Sequence, residues 1–142
     1  MLYLASDHAG FEQKEYIAHE LARRNIAFED FGSYSDEPTD FPKYAKKSAQ
    51  AVLRHHGRAI LFCGSGVGMC VAANRYKHIR AFTGWNKDVT VRAREEDDVN
   101  ILCIPSRLIS NDEAWEVVST FLSTTFLREP RYKRRLEQID EG

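Results

Sequence analysis

The sequence predicts one α/β domain, a five-stranded parallel sheet with helices on both faces. Short apolar runs alternate five times with segments of helical periodicity, the order expected of parallel strands joined by helical crossovers. The run at residues 59–62 is apolar on both faces, as a central strand covered on two sides should be. With 142 residues and 43% hydrophobic content, the chain is long enough for one domain with a core and too short for two.

Each predicted strand is a short apolar run, and most of them stop at a polar or turn-forming residue. The first ends at a polar loop, the second at Gly32, the third at Cys63 and the fifth at Pro105. The five predicted strands are residues 2–5, 26–31, 58–62, 80–83 and 101–104.

Between the strands, apolar residues recur at the spacing of three or four that one helix face requires. Asn86 and Asn111 are suited to cap the fourth and fifth helices, and Pro130 precedes a basic final helix. Loops that follow parallel strands meet at the carboxyl edge of the sheet, so we expect the functional site there. These loops are residues 6–10, 32–42, 63–68 and 105–107. The six predicted helices cover residues 11–22, 44–53, 67–74, 87–95, 112–122 and 131–140.

The loop of residues 63–68 is the strongest candidate for a functional segment. Gly64, Gly66 and Gly68 alternate with small residues where the central strand gives way to a helix. Without a Cβ they permit positive φ and close approach of a ligand, and the free N–H groups of a helix start attract anions. The spacing is neither the G-x-G-x-x-G of dinucleotide sites nor the G-K-[ST] ending of a Walker loop.

Cys63, at the entrance of this loop, has two interpretations. A thiol that faces a helix N-terminus has its thiolate stabilised by the helix dipole, which makes it reactive. A buried intracellular cysteine is otherwise a small hydrophobic residue with no chemical role. The sequence favours the first interpretation, since the cysteine stands at a strand end directly before three glycines.

Composition excludes several classes of function. The 20 basic and 21 acidic residues give a net charge of −1, which provides no overall attraction to nucleic acid or to an anionic membrane. No apolar run approaches 18 residues, and no leader pattern is visible at Met1. Three cysteines without a C-x-x-C motif fit a reducing compartment, and five scattered histidines predict no metal site. We therefore expect a soluble cytoplasmic protein.

Charged residues at the strand ends are further candidates. Asp7 and His8 follow the first strand, where they can hold a hydroxyl or an anion, although Asp7 is equally suited to capping the next helix. Arg131 and Arg135 share one face of the final helix, and Arg107 follows the fifth strand. Three guanidiniums suit a phosphate better than a nucleic-acid duplex. A solvated basic face is the alternative.

The acidic run of residues 95–98 lies near a predicted helix C-terminus, where negative charge is unfavourable. Pairs of Arg92 with Glu96 and of Arg94 with Asp98, each four residues apart, are expected to offset this charge. A solvated helix end explains most of the run, but it leads into the fifth strand. One or two of these carboxylates are therefore expected to edge the site.

Several of these motifs occur in an order that resembles ribose-5-phosphate isomerase B, a sugar-phosphate isomerase family that also includes galactose- and allose-phosphate isomerases. The likeness spans nearly the whole chain. Its motifs are Asp7-His8-Ala9-Gly10, Thr39-Asp40-Phe41-Pro42, the loop 63–68 followed by Ala72-Ala73-Asn74, Asn100-Ile101-Leu102 and Arg131-x-x-x-Arg135.

The resemblance implies a Rossmann-like three-layer sandwich that works as a homodimer, or as a pair of dimers, with each active site completed by the neighbouring subunit. The final helix, about residues 130–140, would contact that subunit. It implies that ribose 5-phosphate and ribulose 5-phosphate are interconverted through a cis-enediolate, in the pentose phosphate pathway, without metal or organic cofactor. A six-carbon sugar phosphate as the substrate and a non-catalytic phosphosugar-binding protein are the alternatives.

The resemblance also implies residue roles. Cys63 matches the base that moves a proton between C2 and C1, and Ser65 lies in the loop whose amides stabilise the enediolate oxygens. Asp7 and His8 match residues that contact the sugar and its phosphate. The remaining matches are the loop residues Gly64, Gly66, Val67 and Gly68 and the phosphate-binding Arg107, Arg131 and Arg135.

The chain departs from the family pattern at several positions. Glu96 stands where a histidine is assigned to opening the furanose ring, and Asp97 where an asparagine donates a hydrogen bond to the substrate. A glutamic acid with a raised pKa transfers protons, whereas an ionised aspartate donates none. Phe41 lacks the hydroxyl of the tyrosine common at its position. Met69 stands where some branches of the family place a glutamate, and it cannot act as a base.

Overall fold

The computed structural model describes residues 1–141. Within them, five strands pair in parallel in the order β2-β1-β3-β5-β4. The strands are β1 (Leu2–Ser6), β2 (Glu29–Asp30), β3 (Arg58–Cys63), β4 (Ala81–Thr83) and β5 (Ile101–Pro105). The helices are α1 (Phe11–Arg23), α2 (Pro42–His55), α3 (Val67–Ala73), α4 (Lys87–Asp97), α5 (Asn111–Ser123) and α6 (Pro130–Glu141). The predicted α/β fold with a five-stranded parallel sheet is confirmed.

Helices cover both faces of the sheet, because successive strand residues point to opposite sides. On one face, Leu61 packs in a core with buried residues of α2 and α3, among them Met69. On the other face, Ile60 and Leu102 pack with α1, α4 and α5, where Phe121 is fully buried. The central strands are therefore apolar on both sides, as the sequence predicted. In the part of the chain that the structure describes, no helix is long and apolar enough to cross a bilayer.

The second strand is shorter than the sequence predicted. The apolar pattern covers residues 26–31, but only Glu29–Asp30 form β2. The N–H of Ile26 donates to the carbonyl of Leu21, in the turn that closes α1. This group is therefore unavailable to a strand, and the predicted start of the strand was wrong.

Ser110, not Asn111, caps α5. The Ser110 Oγ accepts the N–H of Glu113 at 3.1 Å, and the Glu113 carboxylate accepts the N–H of Ser110 at 2.9 Å, which is a capping box. Asn111 instead accepts a hydrogen bond from the side chain of Gln13. The predicted cap of α4 is confirmed, since Asn86 accepts the N–H of Val89 at 2.9 Å.

The strand order opens a crevice at the carboxyl ends of β1 and β3. From β1 the chain crosses to β2 on one side and then to β3 on the other, so the loops after β1 and β3 leave in opposite directions. Such a point of reversal is where ligands bind in open α/β sheets. The fold thus positions residues 6–10 and 63–68 at one place, as expected.

Gly10 permits the loop after β1 to lie directly against β3. A Cβ at Gly10 would overlap the backbone carbonyl of Phe62 and lie 2.6 Å from its Cβ. We expect Gly10→Ala to lower the free energy of unfolding by about 3 kcal/mol, because two backbone segments must separate. Urea denaturation measures this loss. In the control Gly68→Ala, the nearest atoms to the added methyl belong to the side-chain ring of Phe41 and not to the backbone. Equal losses in both variants would contradict the backbone explanation.

Candidate active site

The loops that follow β1, β3 and β5 enclose a cavity of about 270 Å³. Main-chain hydrogen bonds join two of these loops: the N–H of Ser106 donates to the carbonyl of Cys63 at 2.8 Å, and that of Arg107 to Gly64 at 3.1 Å. We call this cavity the strand-end site. Its lining residues are Asp7, His8, Ala9, Phe41, Cys63, Gly64, Ser65, Gly68 and Arg107. Seven of the residues predicted from the sequence therefore meet in one place.

Cys63 lines the cavity at the end of β3, although only 4% of its surface is exposed. The main-chain N–H groups of Met69 and Gly66 donate to its sulfur and favour the thiolate. Burial opposes them more strongly, and with the nearby Asp7 carboxylate it raises the pKa of the Cys63 thiol above its ordinary value. The expected stabilisation by the helix start is present, but in a single chain burial outweighs it.

The three cysteines differ in their tendency to ionise. A hydrogen bond from the Cys103 thiol lowers the pKa of Cys70 to about 7, while burial raises that of Cys103 well above its usual value. Because the thiolate is the reactive form, iodoacetamide near pH 7 should label Cys70 first. Cys63 should follow only as the pH rises, and Cys103 should stay unlabelled. Mass spectrometry of the labelled peptides measures this order. Labelling of Cys63 before Cys70 near neutral pH would show that the amides outweigh burial.

The glycine loop is held in one conformation by its neighbours. Gly66 has a φ of 76°, and its carbonyl accepts the hydroxyl of Thr83 at 2.9 Å. Ser65 is exposed, and its Oγ accepts the N–H of Val67 at 3.3 Å. Val67 does not line the cavity, and about half of its surface is exposed. Of the predicted loop residues, Gly64, Ser65 and Gly68 therefore line the cavity, whereas Gly66 and Val67 do not.

The alternative of Asp7 as the cap of α1 was wrong, since Gly10 occupies the N-cap position and no side-chain oxygen caps this helix. The side chain of Asp7 is buried, lines the cavity and accepts the N–H of Gly10 at 3.0 Å, so it also holds the loop at the start of α1. The Nδ1 atom of His8 accepts the main-chain N–H of Thr39 at 3.2 Å. The neutral imidazole therefore carries its proton on Nε2, where it can be donated to an anion.

Several contributors to the site were not assigned a site role from the sequence. Phe41 lies over Gly68 and lines the cavity, and Thr39 orients His8 through its backbone. Both belong to the quoted Thr39-Asp40-Phe41-Pro42 motif, which was a usable signal. The amide of Met69 and the hydroxyl of Thr83 had no signal, because their roles depend on tertiary contacts.

Four predicted site residues lie outside the strand-end cavity. They are Glu96, Asp97, Arg131 and Arg135, which we call the α4–α6 cluster. Helix α4 begins after β4, at the carboxyl edge of the sheet, and its 11 residues extend for about 16 Å toward the amino edge. The acidic run at its end therefore cannot edge the site of its own chain. Within one chain, the prediction that this run edges the site does not hold, and its place at the site of a neighbouring subunit stays a prediction.

The α4–α6 cluster is charged and largely open to solvent. Arg131 and Arg135 are exposed, and Arg131 pairs with Glu129 at 2.9 Å. Burial, followed by the nearby Glu96 carboxylate, raises the pKa of Asp97, while Arg135 opposes this shift. A protonated Asp97 can donate a hydrogen bond, as the asparagine of the family does.

The two predicted ion pairs of α4 are present. Arg92 lies 3.5 Å from Glu96, and Arg94 lies 2.9 Å from Asp98. Each pair joins an arginine of α4 to a carboxylate four residues later in the chain. Within residues 1–141, Asp97 has no ion-pair partner on its own helix. No group of three or more histidine, cysteine, aspartate or glutamate side chains in the described residues is placed to hold a metal ion.

Comparison with known proteins identifies the family. Residues 2–139 match the sequence profile of the ribose/galactose isomerases. The chain belongs to the ribose/galactose isomerase family. Ribose-5-phosphate isomerase B of Escherichia coli is 34% identical to it over 134 residues, which are 94% of this chain and 89% of that protein. The resemblance seen in the motifs, and the sugar-phosphate isomerase class that it implied, are confirmed.

Solved structures of the ribose/galactose isomerase family have the same fold. The crystal structure of a ribose 5-phosphate isomerase from Thermotoga maritima has a TM-score of 0.96 and 45% identity, covering 99% of this chain and 97% of that one. The structure of ribose-5-phosphate isomerase B from Mycoplasma genitalium with bound ribulose-5-phosphate has a TM-score of 0.93 and 33% identity, covering 99% and 93%.

Proposed function

We propose that this isomerase interconverts ribose 5-phosphate and ribulose 5-phosphate, with Cys63 as the base. The observation that carries the proposal is the position of the Cys63 sulfur, which lines the strand-end cavity at the end of β3, beside the main-chain amides of Met69 and Gly66 that act to lower its pKa. A relative of the same fold binds ribulose-5-phosphate. We assign the whole of residues 1–142 to one domain. The three free thiols favour a reducing, cytoplasmic compartment, and the proposed reaction belongs to the pentose phosphate pathway.

The proton transfer follows from this geometry. The thiolate removes the proton from C2 of the open-chain aldose, the C–H electron pair forms a C1–C2 double bond, and the carbonyl oxygen O1 becomes anionic. Amides of the loop 64–68 stabilise this enediolate oxygen. The thiol then returns the proton to C1, and the hydroxyl proton of O2 moves to O1 through Ser65 to give the ketose. Neither metal nor organic cofactor enters these steps.

A second subunit completes the site in this proposal. The α4–α6 cluster cannot reach the strand-end cavity of its own chain, yet its exposed guanidiniums suit a phosphate. Three apolar residues that are close in sequence to the lining residues or to β4 are more than half exposed, as apolar residues of an interface between subunits would be. They are Val67, Val71 and Trp85. In a two-fold homodimer each chain supplies α6 to the other, and two such dimers can pair further.

Phosphate binding then involves groups from two chains. Arg107 lines the cavity beside Gly64, and the Nε2–H of His8 is available as a neutral donor. Arg131 and Arg135 of the second subunit would add two guanidiniums. An anchored phosphate holds the reacting carbons beside Cys63, which makes the proton transfer effectively unimolecular.

The proposal is tested by incubating the purified protein with ribose 5-phosphate and measuring ketose formation. Comparison of kcat/KM for ribose, allose and galactose phosphates identifies the preferred sugar. Binding of ribose 5-phosphate without turnover would indicate a phosphosugar-binding protein and would overturn the proposal.

Glu96 is proposed to open the furanose ring in place of histidine. With Glu96→Gln, the rate from ribose 5-phosphate should stop rising with enzyme concentration, because spontaneous ring opening becomes limiting. The initial rate from ribulose 5-phosphate, which has no furanose ring, should stay within about threefold of the parent enzyme. Coupled assays in both directions measure this difference.

Glu95→Gln is the matched control, since it removes the neighbouring carboxylate of α4. It should leave both directions unchanged. An equal loss of rate in both directions for Glu96→Gln would place Glu96 in the proton transfer or in binding instead of ring opening.

A further inference from the structure

A second cavity, of about 650 Å³, lies at the amino edge of the sheet, away from the strand-end site. It is formed by the starts of β3 and β5, the segment before β4, and the ends of α2, α4 and α6. Three arginines line it, Arg58, Arg80 and Arg94, together with two aspartates, Asp98 and Asp140. We call it the amino-edge cavity.

Both carboxylates of the amino-edge cavity are already engaged by two of the arginines. Asp98 accepts from Arg94 at 2.9 Å and lies 3.5 Å from Arg80. Asp140 lies 3.7 Å from Arg80 and 3.1 Å from Nδ1 of His78. No carboxylate remains for the third arginine.

Arg58 is the arginine of this cavity that forms no ion pair among the described residues, although the Asp98 carboxylate is near enough to raise its pKa slightly. Within residues 1–141 its side chain forms one hydrogen bond, from Nη1 to the carbonyl of Phe121 at 2.9 Å, and no ion pair. Burial, followed by the nearby Arg94 guanidinium, lowers the pKa of Arg58. Both guanidiniums lie near the Phe121 ring, 5.5 and 6.0 Å from its centroid. The Asp98 carboxylate opposes the lowering of the Arg58 pKa only in part, so the charges of Arg58 and Arg94 still repel each other and favour a further anion beside them.

We propose that the amino-edge cavity binds a small phosphate-bearing anion, with Arg58 as its main anchor and Arg94 beside it. Guanidiniums bind phosphate oxygens through paired N–H groups. The cavity has room for one or two phosphate groups with a small organic part. This site is separate from the strand-end cavity and does not rest on the isomerase proposal.

The test is a titration of the ¹⁵N-labelled protein with inorganic pyrophosphate, followed by two-dimensional amide spectra. Gly57 and Asn100 report on the amino-edge cavity, and Gly64 and Ser65 report on the strand-end site. We expect saturable shifts at Gly57 and Asn100. The proposal would be overturned if no such shifts appeared at a roughly 10-fold excess of pyrophosphate over millimolar protein. This concentration corresponds to about the weakest affinity of interest.

In the variant Arg58→Gln, the dissociation constant for pyrophosphate, measured from the shifts of Gly57 and Asn100, should rise at least about tenfold. Shifts at Gly64 should be unaffected, which separates this site from substrate binding. Arg54→Gln, an exposed arginine of α2, is the matched control and should bind as the parent does. Unchanged dispersion of the other amide signals verifies that Arg58→Gln is folded. The variant Arg58→Lys, which keeps the positive charge, should retain measurable binding of pyrophosphate. Equal affinity in Arg58→Gln and the parent would overturn the assignment of Arg58.

Discussion

Replacing Cys63 with alanine should lower kcat about 10³-fold in both directions while changing KM little. The sulfur is the only group in the strand-end cavity placed at the end of β3 and supported by two main-chain amides. Removal of a general base typically costs a factor of 10² to 10⁴. Substrate affinity should persist, because the phosphate is held by guanidiniums and not by the thiol. Steady-state kinetics with both sugar phosphates measures the effect.

Cys70→Ala is the control for this variant. Cys70 lies in α3, has the lower pKa and does not line the cavity. It should retain parent activity, which would separate the position of Cys63 from thiol reactivity in general. Equal activity of Cys63→Ala and the parent enzyme would refute the assignment of the base.

Mixing two inactive variants should restore activity if the site is shared between subunits. Cys63→Ala lacks the base, and the double variant Arg131→Ala/Arg135→Ala lacks the proposed phosphate anchor. In mixed dimers one of the two sites combines intact groups from both chains. Random exchange of equal amounts should therefore restore about one quarter of the parent activity.

This experiment has two controls. Each variant alone, taken through the same exchange, should stay inactive, and the mixture should have the size of the parent assembly. A mixture that remains inactive after verified subunit exchange would show that each chain carries a self-contained site. The α4–α6 cluster would then be a solvated charged surface, the alternative that the sequence left open.

Local sequence patterns were sufficient to predict most of the fold. The central strand was recognisable because Ile60 and Leu61 face opposite cores and both are apolar. The helix cap at Asn86 was recognisable because it depends on a hydrogen bond within four residues. The β2 strand and the Ser110 cap were misplaced, because the backbone of Ile26 and the side chain of Asn111 are used in contacts with α1.

The candidate site was predictable only in part. Asp7, Cys63 and Arg107 were expected together, because the ends of parallel strands meet at one edge of any such sheet. The location of Glu96 away from the cavity of its own chain was not expected, since it depends on the direction in which α4 extends from β4. A motif identifies the residues, but it does not state to which edge of the sheet a helix carries them.

The sequence by itself determined the alternation of strands and helices, the glycine loop after Cys63 and the family, because each depends on residue type and spacing along the chain. Only the tertiary structure placed seven candidates in one cavity and four outside it, and left Arg58 without an ion pair at the amino edge. Burial, the pKa of a thiol and the pairing of charges depend on neighbours distant in sequence, and those neighbours exist only once the chain has folded.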